Sequence, residues 1–483
     1  MEANGTTDGS APDVAPGQQE FDAGEKAQDS EASQSDSSLS AMDRQYRKQT
    51  TVRRRIHVLG TGSIGKLVAH ALRGIANPPP ITLLLHKEGL MTAWEKSAKE
   101  ITIRDGDTEI KRKGFDVERL PPTRRQHGTE LQDGQPDLSE YEGTMRPHEV
   151  AQAIKDYNQS PTTSKPRKSK NLKGKAVAED DTIHNLLVTT KANLTVGALS
   201  SIRHRLAPTS TICFLQNGKG LIDDVNEQLF PNEQDRPNYM QGIITHGVNV
   251  PPAIAQHNPF YAVHAGHGTI ALSLLPSTAA KRSLTDPMRD SGADVHDTQS
   301  DLWAPSSRYL LRTLTRTPVL CAVGFTPTEL LQLQLEKLAV NSVLNPLTVL
   351  LDARNGSILY NFAITRTMRL LLAETSLVIR SLPELQNIPN VALRFSAQRL
   401  ETLVVQVAHT TRNNISSMLA DVRCGRQTEV EYINGYIVKR GEEIGIKCVV
   451  NYAIMQTVIG KSTIVQREFR GEYASDPVQL DGG

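Results

Sequence analysis

Three polar residues recur every four positions in a long apolar stretch of the sequence. Lys337, Asn341 and Asn345 stand in LEKLAVNSVLNPLTVLLDARNG, and a helix would carry all three on one face. One ammonium and two carboxamides can hydrogen-bond a polar ligand, and the ammonium can also supply a proton. Exposed helix faces show the same pattern, but the surrounding leucines and valines predict a packed helix. Polar groups on a packed helix need partners, and a ligand is one way to supply them.

The glycine-rich segment after RRRIHVLG has the form of a dinucleotide-binding turn. A strand-like stretch precedes it and a helical pattern follows over 66–73, which is the context that makes a GxGxxG motif informative. The first glycine permits a tight turn, the second lets the backbone approach a pyrophosphate, and the third lets helix and strand pack closely. With the polar helix, this turn predicts a nicotinamide-dependent reductase. Its residues are Gly60, Thr61, Gly62, Ser63, Ile64 and Gly65.

The end of the second strand favours NADP as the cofactor. ITLLL ends in His86 and Lys87, where an NAD-binding protein usually places an acidic residue for the ribose hydroxyls. A basic pair suits a 2′-phosphate instead. Glu88 follows directly and would favour NAD if the strand register shifted by a residue or two. A third interpretation is that the two basic residues only cap an exposed strand end.

The overall composition excludes several classes of protein. With 483 residues, 38% of them hydrophobic, the chain can bury at least two cores. Its 54 basic and 53 acidic residues leave a net charge of +1, which indicates neither a nucleic-acid nor a membrane partner. No stretch reaches the roughly 18 to 20 apolar residues of a membrane helix. The four cysteines lack CxxC spacing, so we expect a reducing compartment, no disulfides and no metal site.

Periodicity divides the chain into regions. Residues 1–52 read as a disordered acidic tail, and residues 53–325 as an α/β dinucleotide-binding domain with surface insertions at about 103–182 and 277–300. Residues 326–470 carry long helical patterns, and 471–483 read as a flexible end. The expected strands are Ile56–Leu59, Ile81–Leu85, Asn185–Thr189, Thr211–Leu215 and Met240–Gly247; the expected later helices are Glu329–Leu351, Ile364–Arg380, Ala397–His409 and Glu429–Ile444.

Ketone reduction assigns roles to the polar residues. Hydride transfer leaves negative charge on oxygen, so a proton donor must stand beside that oxygen, and Lys337 suits this role. Glu429 opens a helix with Thr428 available as its N-cap, and a carboxylate near a lysine keeps that lysine charged. Taken alone, Glu429 is more typical of a first-turn acid that interacts with its own helix dipole, and its combination with Lys337 favours a role in the site. Ser417 precedes a turn a few residues upstream.

In this order of motifs the sequence resembles the ketopantoate reductase (2-dehydropantoate 2-reductase) family. The resemblance covers about residues 54–462 and rests on GTGSIG, LLVTTKAN, FLQNGKGL, the polar helix and SSMLADVRCGRQTEVEYINGYIVKRGEEIGI. It implies a Rossmann-type N-terminal domain and an all-α C-terminal domain of the 6-phosphogluconate dehydrogenase C-terminal type. The implied activity is NADPH-dependent reduction of 2-dehydropantoate to pantoate, on the route to pantothenate and coenzyme A.

The resemblance also implies residue roles. Lys337 would be the general acid, and Glu429 would line the cleft near this lysine and the nicotinamide ribose. Lys191 would reach the cofactor and Asn217 would stand beside the nicotinamide. The residues implied for binding the substrate are Asn341, Asn345, Asn355 and Ser417.

The sequence departs from the family pattern in its tail, its insertions and the His86-Lys87 pair, additions that resemble the enlarged fungal branch. A paralogue acting on another branched 2-oxoacid and a non-catalytic NADP-binding scaffold therefore stay open. His246, His264 and His267 read as structural residues rather than metal ligands or proton carriers. We expect a cytoplasmic protein, with the mitochondrion as the alternative, and the sequence leaves a homodimer open.

Overall fold

The computed structural model describes residues 53–120, 125–126, 129–130, 181–276 and 303–471. The expected tail at 1–52, the expected insertion at 277–300 and most of the insertion expected at 103–182 lie outside the described residues. From Arg53 onward the chain forms one compact unit. Within it, a sheet region precedes Thr326 and a helical region follows.

The sheet region contains short strands connected by helices. Its helices are α1 (Ser63–Arg73), α2 (Glu88–Lys96), α3 (Ala192–Ser200), α4 (Leu221–Leu229), α5 (Pro252–Ala255) and α6 (Pro305–Thr315). The strands are β1 (Ile56–Leu59), β2 (Ile81–Leu85), β3 (Ile101–Asp105), β4 (Thr108–Arg112), β5 (Phe115–Arg119), β6 (Arg125–Gln126), β7 (Thr129–Glu130), β8 (Asn185–Val188), β9 (Thr211–Phe214), β10 (Asn238–Ile244), β11 (Gly247–Asn249), β12 (Tyr261–Gly266), β13 (Ile270–Leu275) and β14 (Ala322–Gly324).

The main sheet has eight strands in the order β14-β13-β10-β9-β8-β1-β2-β5. The six strands from β10 to β5 run parallel, and β13 pairs antiparallel with β10. Strand β1 lies between β2 and β8, so the chain leaves it in one direction and later returns on its other side. Open parallel sheets bind ligands at such a switch point, beyond the carboxyl ends of the strands. The expected α/β class is confirmed, with each predicted strand within a few residues of its place.

The expected start of the first insertion, at Ile103, is wrong. Strands β3, β4 and β5 occupy this stretch, and β5 joins the main sheet beside β2 with Leu85 opposite Arg119. The charged side chains that hid these strands belong largely to β4, which is mostly exposed. An exposed strand has no apolar alternation to reveal it.

A second sheet packs beside the cofactor turn, in the order β11-β12-β3-β4. Lys66 on α1 is buried, and its ammonium donates to the carbonyls of Pro259 at 2.8 Å and Tyr261 at 3.1 Å. Burial lowers the pKa of Lys66 to about 8. This lysine of the glycine-rich segment therefore fixes the small sheet to α1 and does not point toward a phosphate.

The helical region is built around one 25-residue helix. Its helices are α7 (Pro327–Leu351), α8 (Phe362–Ser381), α9 (Val391–Arg394), α10 (Ala397–Thr410), α11 (Ser417–Val422), α12 (Val430–Glu443) and α13 (Val449–Phe469). Thr326 and Glu329 form a capping box that starts α7. The four predicted helices are present, whereas α13 had not been predicted. Among the described residues, no helix is both long and apolar enough to cross a membrane.

Helix α7 contains a proline that a partner helix compensates. Pro346 has no N–H to donate to the carbonyl of Ser342, four residues earlier. The side-chain amide of Asn434, on α12, donates to this carbonyl at 2.9 Å. Asn434 also donates to Asn451 on α13 at 3.0 Å, so one buried amide joins the three helices. The helix that carries Lys337 is thereby fixed in place.

Candidate active site

The candidate site lies where the carboxyl ends of β1, β8, β9 and β10 meet α7 and α12. Gly60 follows β1, Lys191 follows β8, Asn217 follows β9, and the carbonyl of Ile244 ends β10. Parallel strands place their carboxyl ends at one edge of the sheet, so these residues converge. Four residues that are distant in the sequence thus come to one crevice.

The glycine turn has the geometry that a pyrophosphate needs. Gly60 has φ of 102°, and a Cβ there would lie 2.6 Å from the nitrogen of Thr190. A Cβ at Gly65 would lie 1.9 Å from the carbonyl oxygen of Gly60, so this glycine allows close packing. Gly62 faces open space, and no side chain caps the N-terminus of α1 there. The three glycines therefore fit the roles expected of a dinucleotide-binding turn.

Lys337 lies at the inner end of the crevice. Its Nζ donates to Oδ1 of Asn217 at 3.0 Å and to the carbonyl of Ile244 at 2.7 Å. Both acceptors are neutral. Burial lowers the pKa of Lys337 to about 8, and Glu429 opposes this by raising it. An ammonium whose pKa lies near neutrality is suited to donate a proton.

Glu429 connects the two regions of the molecule. One carboxylate oxygen accepts the backbone N–H of Ala192, the first residue of α3, at 3.1 Å. The other accepts from the amide of Asn217 at 3.2 Å and lies 3.5 Å from Nζ of Lys191. The expected N-cap, Thr428, is not used: Glu429 itself occupies the N-cap position of α12 without a side-chain cap bond. Its carboxylate instead serves the N-terminus of α3.

Lys191 is held by two carboxylates. Its ammonium lies 2.7 Å from Asp421 on α11, which Arg426 also contacts at 3.0 Å. Burial by itself would lower the pKa of Lys191, but Glu429 and Asp421 outweigh it and raise the pKa. Lys191 is therefore a fixed positive charge next to the glycine turn.

The expected substrate residues lie on α7, in the short 3-10 helix that follows it and at the start of α11. Asn341 is half-buried and Asn345 is 5% exposed, and among the described residues neither side-chain amide has a hydrogen bond. Asn355 donates to Thr411 at 2.9 Å, while its buried Oδ1 has no partner there. Ser417 is exposed at the first position of α11, and the preceding Ser416 caps this helix. The unsatisfied amides are available to a ligand.

Arg119 lies beside the expected cofactor-selecting pair. His86 and Lys87 are exposed directly after β2. Arg119 ends the neighbouring strand β5, and its guanidinium lies 3.6 Å from Glu88, the first residue of α2. Strand β2 ends at Leu85, so Glu88 belongs to the helix rather than the strand end.

Sequence reasoning missed Asp421, Arg119 and Lys219. Lys219 donates to Gln334, one turn before Lys337 on α7, at 2.8 Å, and burial lowers its pKa to about 8. A signal existed for Lys219, since it follows Asn217 in the same NGKG loop. Arg119 lay in the stretch read as an insertion, and nothing in the sequence near Asp421 indicates that it meets Lys191.

A parallel sheet with a glycine-rich turn after β1, joined to a helical second region, is typical of dinucleotide-dependent oxidoreductases. Family models then match two parts of the chain, "Ketopantoate reductase PanE/ApbA" over residues 143–277 and "Ketopantoate reductase PanE/ApbA C terminal" over residues 329–462. A probable 2-dehydropantoate 2-reductase of Schizosaccharomyces pombe is 31% identical over 275 residues, 56% of this chain and 72% of that protein. The chain belongs to the ketopantoate reductase family.

Other relatives have names that state different activities. The ketoisovalerate reductase of Beauveria bassiana is 23% identical over 431 residues, covering 81% of this chain and 79% of its own. A structure of a probable 2-dehydropantoate 2-reductase from Bacillus subtilis superposes with TM-score 0.51 at 20% identity, over 84% of this chain and 99% of its own. A D-mandelate dehydrogenase in complex with NADH gives TM-score 0.55 at 14% identity, over 85% and 99%. These two structures share the fold.

Proposed function

We propose that this protein reduces 2-dehydropantoate to pantoate with NADPH, using Lys337 as the general acid. One observation carries the proposal: the ammonium of Lys337 is held between two neutral oxygens at the carboxyl edge of the sheet, with its pKa near 8. A lysine in this position can bind a carbonyl oxygen and release a proton to it.

The reaction needs a hydride at C2 and a proton at the ketone oxygen. A nicotinamide cofactor, whose pyrophosphate the glycine turn would hold, would supply the hydride. Lys337 donates to the ketone oxygen, stabilises the charge that develops there and transfers its proton as the alcohol forms. The neutral amine then takes up a proton from solvent, which restores the acid for the next cycle.

Asn217 and Glu429 keep Lys337 oriented and protonated. Asn217 accepts from Lys337 and donates to Glu429, so its amide is oriented at both ends. Glu429 raises the pKa of Lys337 without a direct contact and keeps enough of it protonated at neutral pH. Lys191 would lie within reach of the cofactor's phosphate or ribose groups while it offsets the charge of Glu429.

The free amides on α7 support a hydroxylated substrate. 2-Dehydropantoate carries a hydroxyl that 2-oxoisovalerate lacks. Asn341 and Asn345 lie one and two turns from Lys337 and have no protein partner among the described residues. A site that offers buried hydrogen-bonding groups disfavours an analogue without the matching hydroxyl.

Basic residues at the ends of β2 and β5 support NADPH over NADH. His86, Lys87 and Arg119 converge where the adenine ribose of a dinucleotide bound at β1 would lie. An added 2′-phosphate would meet this positive group, although Glu88 competes for Arg119 at 3.6 Å.

Reduction of 2-oxoisovalerate is the second candidate. It is favoured by the ketoisovalerate reductase of Beauveria bassiana, which matches 81% of this chain, against 56% for the relative from Schizosaccharomyces pombe. The proposed chemistry at Lys337 is the same for both substrates. The choice therefore depends on the substrate amides alone.

The test is a steady-state assay of the purified protein with NADPH or NADH and with each of the two oxoacids. A kcat/KM at least about 100-fold higher for 2-dehydropantoate would support the proposal, since one well-made hydrogen bond contributes roughly that much discrimination. Preference for 2-oxoisovalerate would move the assignment to the second candidate. Tight NADPH binding without turnover of either oxoacid would contradict both.

A further inference from the structure

A cluster of two histidines and one aspartate lies on the small sheet, outside the candidate active site. Asp105 ends β3, His264 lies on β12, and His267 lies in the turn between β12 and β13. His267 Nε2 is 3.0 Å from one oxygen of Asp105, and His264 Nδ1 is 3.8 Å from the other. One ligand atom from each residue falls within 4.8 Å of the other two. Ligands of a tetrahedral Zn²⁺ ion, bound at about 2.0–2.1 Å, lie roughly 3.3 Å apart.

Hydrogen bonds assign the protonation of the buried histidines. His246 Nε2 lies 3.0 Å from the carbonyl of Leu320, which can only accept, so this nitrogen carries the proton. His246 Nδ1 is then an acceptor, and it receives the backbone N–H of Gly268 at 3.1 Å. The same atom lies 3.0 Å from His264 Nε2, which must therefore donate.

His264 Nε2 is thus engaged with His246, which leaves Nδ1 as the ring nitrogen that a metal ion could bind. The His264 side chain is 1% exposed, and this nitrogen faces the carboxylate of Asp105. A metal ion bound between them would take the place of a proton on Nδ1 or on Asp105. A histidine whose second nitrogen donates to an ordered acceptor is the usual arrangement around a protein-bound metal.

The turn that carries His267 is also held rigidly. Thr245 and Thr269 exchange backbone and side-chain hydrogen bonds across this turn, at 2.7 to 3.2 Å. A Cβ at Gly268 would lie 2.5 Å from the nitrogen of His246, so only glycine fits there. The backbone on both sides of His267 is thereby fixed relative to His264.

We propose that Asp105, His264 and His267 bind a divalent transition metal ion of the Zn²⁺ class, with His246 orienting His264. Two imidazoles and one carboxylate suit Zn²⁺, Co²⁺ or Ni²⁺, whereas Mg²⁺ and Ca²⁺ favour oxygen ligands alone. The ion cross-links β3 to the β12–β13 turn, and solvent fills its fourth position on the exposed side. This proposal differs from the expectation from sequence, which read the three histidines as structural and expected no metal site.

Cobalt provides the direct test, because its visible absorption reports coordination. The full-length protein, stripped with chelator, is titrated with Co²⁺ and then with Zn²⁺. We expect one saturable Co²⁺ site with the absorption of a four-coordinate ion, displaced by Zn²⁺. Zn²⁺ should also raise the melting temperature of the wild-type protein.

Variants of the two more exposed ligands show whether this cluster is responsible. Asp105→Asn and His267→Ala should keep the fold by circular dichroism but weaken Co²⁺ binding by at least about 100-fold and lose the Zn²⁺-dependent rise in melting temperature. His257→Ala, at an exposed histidine in the preceding loop whose ring contacts the carbonyl of Ala253, should bind Co²⁺ as the wild type does. Absence of a one-to-one site in the wild type, or unchanged binding in His267→Ala, would overturn the proposal.

Discussion

Lys337 and Lys191 lie on either side of Glu429, yet their surroundings change their pKa values in opposite directions. Lys337 donates to two neutral oxygens, and burial lowers its pKa to about 8. Lys191 is close to two carboxylates, which raise its pKa despite its burial. One amine is thus prepared to lose a proton and the other to keep it. Two like groups with divergent pKa values typically mark an acid and a purely electrostatic residue.

Removal of Lys337 should have the largest effect. In Lys337→Ala we expect kcat to fall about 10²–10⁴-fold, because general acid catalysis is lost, while the KM for NADPH changes little. Lys337→Arg keeps the charge but cannot release a proton near neutrality, so it should be almost as slow. Steady-state kinetics at pH 7 measure both. Turnover close to wild type in Lys337→Ala would remove this lysine from the mechanism.

Loss of Lys191 should affect binding and stability more than chemistry. Lys191→Ala leaves Asp421 and Glu429 buried without their shared cation, and breaking a buried pair costs about 3–5 kcal/mol at its upper limit. Arg426 still contacts Asp421, so we expect a smaller loss of unfolding free energy, about 1–3 kcal/mol, and a KM for NADPH raised about 10-fold or more. Urea unfolding and NADPH titration measure these effects. Lys191→Arg, which retains the charge, should recover most of the stability.

The pH dependence of kcat/KM should show the effect of Glu429 on Lys337. In the wild type, kcat/KM should fall tenfold per pH unit above about 8, as Lys337 loses its proton. Because Glu429 raises this pKa, Glu429→Gln should move the falling limb to lower pH and reduce kcat at pH 7 about 10-fold. The neighbouring exposed Glu431→Gln is the matched control and should leave the profile in place. A limb that does not move in Glu429→Gln would separate the carboxylate from Lys337.

The Asn345→Ala variant tests whether the Asn345 amide recognises the hydroxyl of the substrate. Asn345→Ala removes an amide that is proposed to bind the substrate hydroxyl, so kcat/KM for 2-dehydropantoate should fall about 10–100-fold. The value for 2-oxoisovalerate, which has no such hydroxyl, should change less than threefold. Equal losses for both substrates would assign Asn345 to the shape of the site rather than to hydroxyl recognition.

The smallest effect is expected for the residues at the ends of β2 and β5 that are proposed to select NADPH. Arg119→Ala removes one exposed guanidinium and leaves His86 and Lys87 in place, so the preference for NADPH over NADH should fall about 2–5-fold, as is usual for an exposed ion pair. Lys113→Ala, at a more exposed lysine just before β5, is the control and should leave the ratio unchanged. The ratio of the two kcat/KM values is the measurement. A ratio that stays constant in Arg119→Ala would leave selection to His86 and Lys87.

Local patterns in the sequence predicted the surroundings of Lys337 better than those of Lys191. The apolar repeat around Lys337 and the GxGxxG turn both lie within single elements, where periodicity and glycine spacing are informative. Lys191 and Asn217 came from family resemblance, whereas Glu429 was first noted at the start of a predicted helix. The pairing of Lys191 with Asp421 joins β8 to α11, and no pattern within either segment encodes it.

Strands β3, β4 and β5 were missed for a related reason. Most side chains of β4, and those of β5 after Phe115, are exposed or half-buried, so these strands depend on tertiary pairing more than on intrinsic preference. With them, Arg119 and Asp105 were left in an apparent insertion. Both residues thus lie where the structural signal in the sequence is weakest.

The bond between Glu429 and the N–H of Ala192 joins residues that are 237 positions apart. Protein synthesis on the ribosome completes the whole main sheet long before Glu429 leaves the exit tunnel. Until then the first turn of α3 has no carboxylate, and Lys191 has neither of its acids. The nascent chain therefore acquires a complete site only when its last helices emerge, and a product truncated before α12 could fold its sheet but not assemble the catalytic network.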